Sequence, residues 1–426
     1  MEMLVFLVSL AVFLPLGIPI AVVLVLSAIV LMLFMGNFDA LIVGQTMFTG
    51  TNTFVLMAIP FFVLAGEIMT AGGLSKRIVD FANIIMGRLR GGLGYAAIVG
   101  SVIFAGLSGS PIADTAALGA ILIPLMASNG YRVDRSTGLI CAGGIIAAII
   151  PPSIPMIVLG AIVGISISRL FMAGIVPGII MALALMATWR FIVYKDQYKD
   201  IKRYSARESF KIIVDAIPAL FMPVIIILGI RFGVFTPTEA GAFAVVYAIL
   251  ISMFWYRELK PSMLLGVVMN AAKSTAVVMF IVAGATVIGW LITVAQIPNQ
   301  FASIFGGLID RPLILLLCIN VFLLLLGMVM DLTPNLLIFG PVLFPVIEQA
   351  GINPYFFGVI MIINLCIGLI TPPVGTILYL GCSLGKISFT EVTKGVLPFL
   401  AAEAVIVFLY ILFPQLVLSP MSWILQ

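Results

Sequence analysis

Shifted by 221 residues (327 − 106), the chain matches itself without a gap. Gly106 falls on Gly327, Gly119 on Gly340, Pro124 on Pro345, Gly130 on Gly351, Pro151 on Pro372, Pro152 on Pro373 and Gly160 on Gly381. Forty Gly and 24 Pro would give about 0.7 such coincidences by chance over a window of about 55 residues, against these seven. One unit is therefore used twice, with its helix breakers at matched positions. The unit sits in a chain that is 63% hydrophobic and 9% charged, with a mean hydropathy of +1.30. A water-soluble domain carries about a quarter of its residues as charges, so most of this surface must face lipid. At roughly 20 apolar residues per span the runs allow about ten to eleven crossings. They are too long and too evenly apolar for an alternating porin-type strand. The opening MEMLVFLVSLAVFLPLG has no basic flank or small-residue cleavage site, and reads as a first retained span. Leu4–Leu16 and Ile20–Phe34 are short spans divided by LGIP, and fusion into one kinked helix would break the parity of the topology below.

Charge orients the two copies. Lys76, Arg77, Arg88, Arg90, Arg132 and Arg135 flank the first, against Asp80 and Asp134, whereas the matching flanks of the second hold only Arg311 beside Asp310. By the positive-inside rule the first copy opens from the cytoplasm and the second from outside. The loop YKDQYKDIKRYSARESFK, with six basic residues, and the later cluster YRELKPS (Tyr256–Ser262) both fall inside. Parity holds if each half supplies three crossings, a re-entrant hairpin, a broken helix and one more crossing, which leaves both termini outside. This is an inverted-topology repeat, an arrangement typical of secondary transporters. The expected divisions are a first repeat at 1–194, with a hairpin around 92–128 and a broken helix at 137–166; a cytoplasmic loop at 195–211; and a second repeat at 212–426, with a hairpin around 312–349 and a broken helix at 355–385.

Several chemistries are excluded or disfavoured. The chain has no His, which removes the commonest general base and metal ligand. Its four cysteines (Cys141, Cys318, Cys366, Cys382) lie scattered in apolar runs with no paired spacing, which argues against a disulfide framework or a transition-metal site. The net charge of +4 comes from loop residues rather than a nucleic-acid patch. No P-loop is present, so an ion gradient or another subunit must supply the energy. An integral-membrane enzyme has no nucleophile–base pair to rest on.

Two interruptions at membrane depth recur in each copy. The first copy has GLSGSPIADT (Gly106–Thr115) and IIPPSIP (Ile149–Pro155); the second has GMVMDLTPN (Gly327–Asn335) and LITPPVG (Leu369–Gly375). Proline lacks an amide donor, so carbonyls near Ala147–Ser153 and Gly368–Val374 lose helical partners. Such backbone is tolerated in a membrane only where protein or a water-filled cavity buries it. Freed carbonyls suit a hard cation such as sodium, and half-helix N-termini offer amides to an anion. Ser108, Ser110 and Asp331 stand at the hairpin tips, where they could meet a ligand or simply cap turns and half-helices. Asp114 matches Asn335 in the repeat and is open to the same two readings. Glu67 and Glu239 could bind a cation, pair with a base such as Lys273, or cap a helix; Glu403 could serve assembly or lie near the interface. Asp215 and Arg231 stand at span ends, where snorkelling explains them.

GLSGSPIADTAALGAILIPLM, IIPPSIP, FTPTEAGA and LITPPVGTILY, with PFFVLAGEIM and GMVMDLTPNLLIFGPVLFPV, resemble the large membrane subunit of tripartite ATP-independent periplasmic (TRAP) transporters along essentially the whole chain. The resemblance implies an all-α, multi-pass inner-membrane protein with an ion-transporter-type elevator fold. It implies a mobile part carrying hairpins and broken helices, a small four-helix membrane subunit as scaffold partner, and a periplasmic binding protein that delivers a carboxylate such as a sialic acid, a sugar acid or a C4-dicarboxylate. No cofactor is implied beyond sodium as coupling ion. The family's two sodium sites would fall at Gly106, Ser108, Ala147, Ile150 and Ser153, and at Gly327, Gly368, Thr371 and Val374; the 221-residue shift carries Gly106, Ala147, Ile150 and Ser153 onto the second set one by one. The substrate carboxylate would lie between the tips, at Ser108, Ser110, Pro111 and Asp331, with Asp331 itself serving sodium, tip hydrogen bonding or water. A self-sufficient sodium–anion symporter of related fold is the alternative.

Overall fold

The computed structural model describes residues 1–194, 205–298, 300 and 306–425, and among these there is helix but no strand. The basic loop expected at 195–211 lies outside the described residues from 195 to 204, and the flank before the second hairpin lies outside them at 299 and 301–305. In chain order the helices are α1 (Glu2–Phe13), α2 (Ile20–Phe34), α3 (Ala40–Thr51), α4 (Ala58–Ala71), α5 (Leu74–Met86), α6 (Gly92–Ser108), α7 (Pro111–Ser128), α8 (Val133–Gly144), α9 (Ile154–Val163), α10 (Ile167–Val193), α11 (Ala206–Arg231), α12 (Pro237–Leu250) and α13 (Pro261–Val294). After a single helical turn at Gly306–Ile309 come α14 (Pro312–Gly327), α15 (Leu332–Gln349), α16 (Pro354–Leu369), α17 (Thr376–Gly385), α18 (Phe389–Leu412) and α19 (Gln415–Leu425). Among the described residues, eight helices are long and apolar enough to cross a membrane; several apolar helices, including α1, α2, α6, α9, α14, α16 and α17, are shorter.

The short helices are short for a reason read directly from their ends. α6 stops at Gly109, whose φ of 62° is the left-handed geometry that favours glycine, and α7 starts at once with Pro111 in its first turn. The pair closes as a hairpin, because α6 packs on α7. α14 and α15 repeat the pattern about Met328–Asp331. α8 runs through a 3₁₀ turn (Ile145–Ala148) into the Pro151–Pro152 break before α9, and α16 ends in the Pro372–Pro373 break before α17. Both Pro–Pro bonds are cis. α1 and α2 are separate helices packed on each other, parted by Gly17 at φ 73°, rather than one kinked rod.

Packing of the two copies is reciprocal. The second arm of the first hairpin (α7) lies on α17, the second half of the other copy's broken helix, and α15 lies on α9. This exchange is the contact pattern a two-fold relation between copies produces. Around this core, α4 packs on α12 and α13, α13 on α2 and α3, and α11 on α5. α13, at 34 residues, is about 51 Å long, well beyond a hydrocarbon core of about 30 Å. α5 is amphipathic, burying Leu74, Ile78, Val79 and Ala82 and exposing Lys76, and it links α4 to the first hairpin. Trp189 of α10 is fully buried, donates its indole N–H to the Gly91 carbonyl at 2.9 Å, and stacks between Tyr131 and Phe399. One side chain thus ties the entry of the first hairpin to α8 and α18.

Candidate functional site

The two hairpin tips meet at one cavity of about 200 Å³. Ser108, Ser110, Pro111 and Asp331, the four side chains named for substrate in the sequence, all line it. Opposite them stand Phe62, Gly66, Glu67 and Thr70 from α4, with Ser274 and Val278 from α13. No Lys or Arg lines the cavity among the described residues, whereas Asp331 and Glu67 bring two carboxyl groups.

Each tip residue has a definite role in the local chain. Ser110 caps α7, its hydroxyl accepting from the Ala113 amide at 3.4 Å. The Ser108 hydroxyl accepts from the Ser110 amide at 3.1 Å and donates to the carboxylate of Asp114, which is fully buried. The other oxygen of Asp114 has no hydrogen-bond partner among the described residues. Its repeat mate Asn335 is equally buried and donates to the carbonyls of Met330 and Asp331, both at 3.1 Å. The two residues do one job, stitching a tip to the arm that follows it. Asp331 is the residue before α15 but closes no capping bond; its carboxyl faces the Leu332 amide and the Thr376 hydroxyl at the start of α17.

The positions named for sodium gather where tips touch breaks. Gly109 accepts from the Ile154 amide at 3.2 Å, so the first tip is hydrogen-bonded to the first break, and Gly106 lies beside the Pro151 carbonyl. Pro151 offers no amide to the Ala147 carbonyl, and the Ala148 carbonyl takes the Ser153 hydroxyl instead, at 2.6 Å. Ser153 also caps α9 through the Met156 amide at 3.2 Å. In the second copy Gly327 and Gly368 meet backbone to backbone, an approach that only glycine permits. There the Thr371 hydroxyl donates to the Ile367 carbonyl at 2.6 Å and its amide to the Gly368 carbonyl at 3.0 Å. Ile150 is buried in its break, while Val374 is half-buried at the far end of the other.

The remaining charges sort differently. Glu239 closes a capping box with Thr236 at the start of α12. Glu67 makes no ion pair among the described residues, with Lys273 or otherwise, and lines the cavity. Thr70 and Ser274 were not singled out from sequence. They sit in regular apolar helices, where Gly66, Glu67 and Thr70 at helical spacing are the only local signal.

This arrangement has counterparts. The family described as "Tripartite ATP-independent periplasmic transporter, DctM component" matches residues 7–416. The chain belongs to that family. It is 48% identical over 408 residues to the 2,3-diketo-L-gulonate TRAP transporter large permease protein YiaN of Escherichia coli (strain K12), covering 96% of each chain. It is 39% identical over 402 residues to the sialic acid TRAP transporter large permease protein SiaM of Vibrio cholerae serotype O1, covering 94% of each. Among solved structures, the Alcanivorax borkumensis YdaH transporter shares the fold, with a TM-score of 0.61 at 14% identity over 88% of each chain. The chain is thus a TRAP large permease, a multi-pass component of the inner membrane and not an enzyme.

Proposed function

We propose that this permease imports a small organic acid of the sugar-acid type together with sodium, the first hairpin and its repeat mate moving as part of an elevator. The observation that carries this is the lining of the cavity between the tips. Two half-helix N-termini, at α7 and α15, converge there and favour an anion. Glu67 and Asp331 oppose one, and no basic side chain among the described residues offsets them. An anion therefore enters on favourable terms only with bound cations, and sodium held by backbone oxygens at the two breaks supplies that charge. The relatives named for 2,3-diketo-L-gulonate and sialic acid support a sugar acid as cargo. In this reading a periplasmic binding protein delivers the acid and a small four-helix membrane subunit braces the permease; the membrane lipid covers the rest.

The test is uptake into proteoliposomes holding this chain and its small subunit, with the binding protein outside. The probes are 2,3-diketo-L-gulonate, sialic acid and a C4-dicarboxylate. An inward sodium gradient should drive uptake of the first or second only when the binding protein is present. Equal rates with potassium in place of sodium would refute the coupling. Uptake by this chain alone would refute the three-part assembly.

A further inference from the structure

Glu403 stands midway along α18, has no exposed surface, and neither of its carboxyl oxygens has a hydrogen-bond partner among the described residues. Among the described residues, the helices around it offer no counter-charge. α10 runs antiparallel to α18, since Tyr410 bonds the Pro177 carbonyl and Phe399 stacks on Trp189. That register puts Ala182 and Leu185 opposite Glu403, neither of them titratable. α8 crosses α18 at Gly138 and Gly395, so Asp134 and Arg135 stand about 12 Å or more along the axis from Glu403. α17 contributes Tyr379 and Cys382 only at the level of Phe389 and Ile387, α14 contributes an exposed Cys318, and α19 holds no titratable group. On α18 itself Lys394 and Glu391 lie about 13 and 18 Å away. From α16 comes Cys366, fully buried and within electrostatic reach of both Glu403 and Asp331.

An ionised carboxylate with no protein donor or counter-charge beside it is costly in such a place, and taking up a proton relieves that cost. Even neutral, its hydroxyl is unpartnered, so packing alone gives no reason for an acid here. An acid left unpaired inside a membrane-spanning helix marks a functional position rather than a packing one. We propose that Glu403 is a proton-binding site, loaded in the conformation seen here and discharged when the seam between α16 and α18 opens to water. Rising pH then favours the open seam, and Gln at this position holds it closed. The proposal is independent of which ion drives uptake.

The seam is read through Cys366, in permease with Cys141→Ala, Cys318→Ser and Cys382→Ser, assembled with its small subunit in lipid nanodiscs. Labelling by N-ethylmaleimide is compared with and without Glu403→Gln across neutral to alkaline pH; the quotient of rates cancels the part of the thiol's titration common to both. A neighbouring carboxylate slows a thiol, so a faster parent reports opening. The quotient should rise by up to about tenfold per pH unit, and a protonated-carboxyl infrared band should vanish in Glu403→Gln. Equal rates at every pH, or no band lost, would overturn the proposal. Glu403→Met serves the same comparison should the Gln variant fail to assemble.

Discussion

Ser108 and Ser110 look alike in the sequence, yet their hydroxyls do different work. Ser108 is the partner of a buried carboxylate, so Ser108→Ala strands Asp114 with no donor from the tip. Leaving a buried polar group unsatisfied costs about 1–3 kcal/mol, more for a charge. Ser110 makes one long capping bond, and its loss costs at most about 1 kcal/mol. Thermal unfolding of the detergent-solubilised permease should therefore shift clearly for Ser108→Ala and little for Ser110→Ala, while both lower sodium-driven uptake. Equal, small shifts would mean that the Ser108–Asp114 bond is not made in the folded protein. Asp331, with no capping duty, is expected to behave as Ser110 does: Asp331→Asn should cut uptake with little change in unfolding temperature.

At the scale of elements, hairpins and breaks were legible because Gly and Pro are rare enough to stand out when they recur at one offset. The chain had to stop helices at Gly109 and at the two Pro–Pro pairs, and composition alone marks such stops. Of the cavity's other wall only Glu67 was legible, as an acid within an apolar run; Thr70 and Ser274 were not, since α4 and α13 run on as regular helices through them. Nor was the Trp189 anchor, because an aromatic side chain in an apolar chain gives no signal until Gly91, Tyr131 and Phe399 close around it. Trp189→Ala should cost about 3–5 kcal/mol, read as a fall in unfolding temperature and in assembled yield. Trp189→Phe keeps the stacking and loses the bond to Gly91, and should recover most of that. At the second break, a Cβ on Gly368 would sit on the backbone of Gly327, so Gly368→Ala forces the tip and the break apart at about 1–3 kcal/mol. Wild-type sodium dependence in that variant would argue against an ion site at this junction.

For the whole molecule, the repeat and the charge bias make one demand that the fold alone does not: the two hairpins must enter from opposite faces of the membrane. Reciprocal packing of α7 on α17 and α15 on α9 is what a two-fold axis in the membrane plane would give, and the excess of Lys and Arg about the first copy assigns its mouth to the cytoplasm. Ser128 closes α7 at the mouth of the first hairpin and Gln349 closes α15 at the mouth of the second; both are exposed. Single cysteines at these positions, Ser128→Cys and Gln349→Cys, can be made with Cys318 and Cys382 replaced by serine to silence the accessible native thiols. A membrane-impermeant maleimide should then label Ser128→Cys in inverted vesicles and Gln349→Cys in right-side-out vesicles. Labelling of both from one face would break the inversion. Exchanged faces would keep the repeat but reverse the permease, contradicting the charge rule rather than the fold.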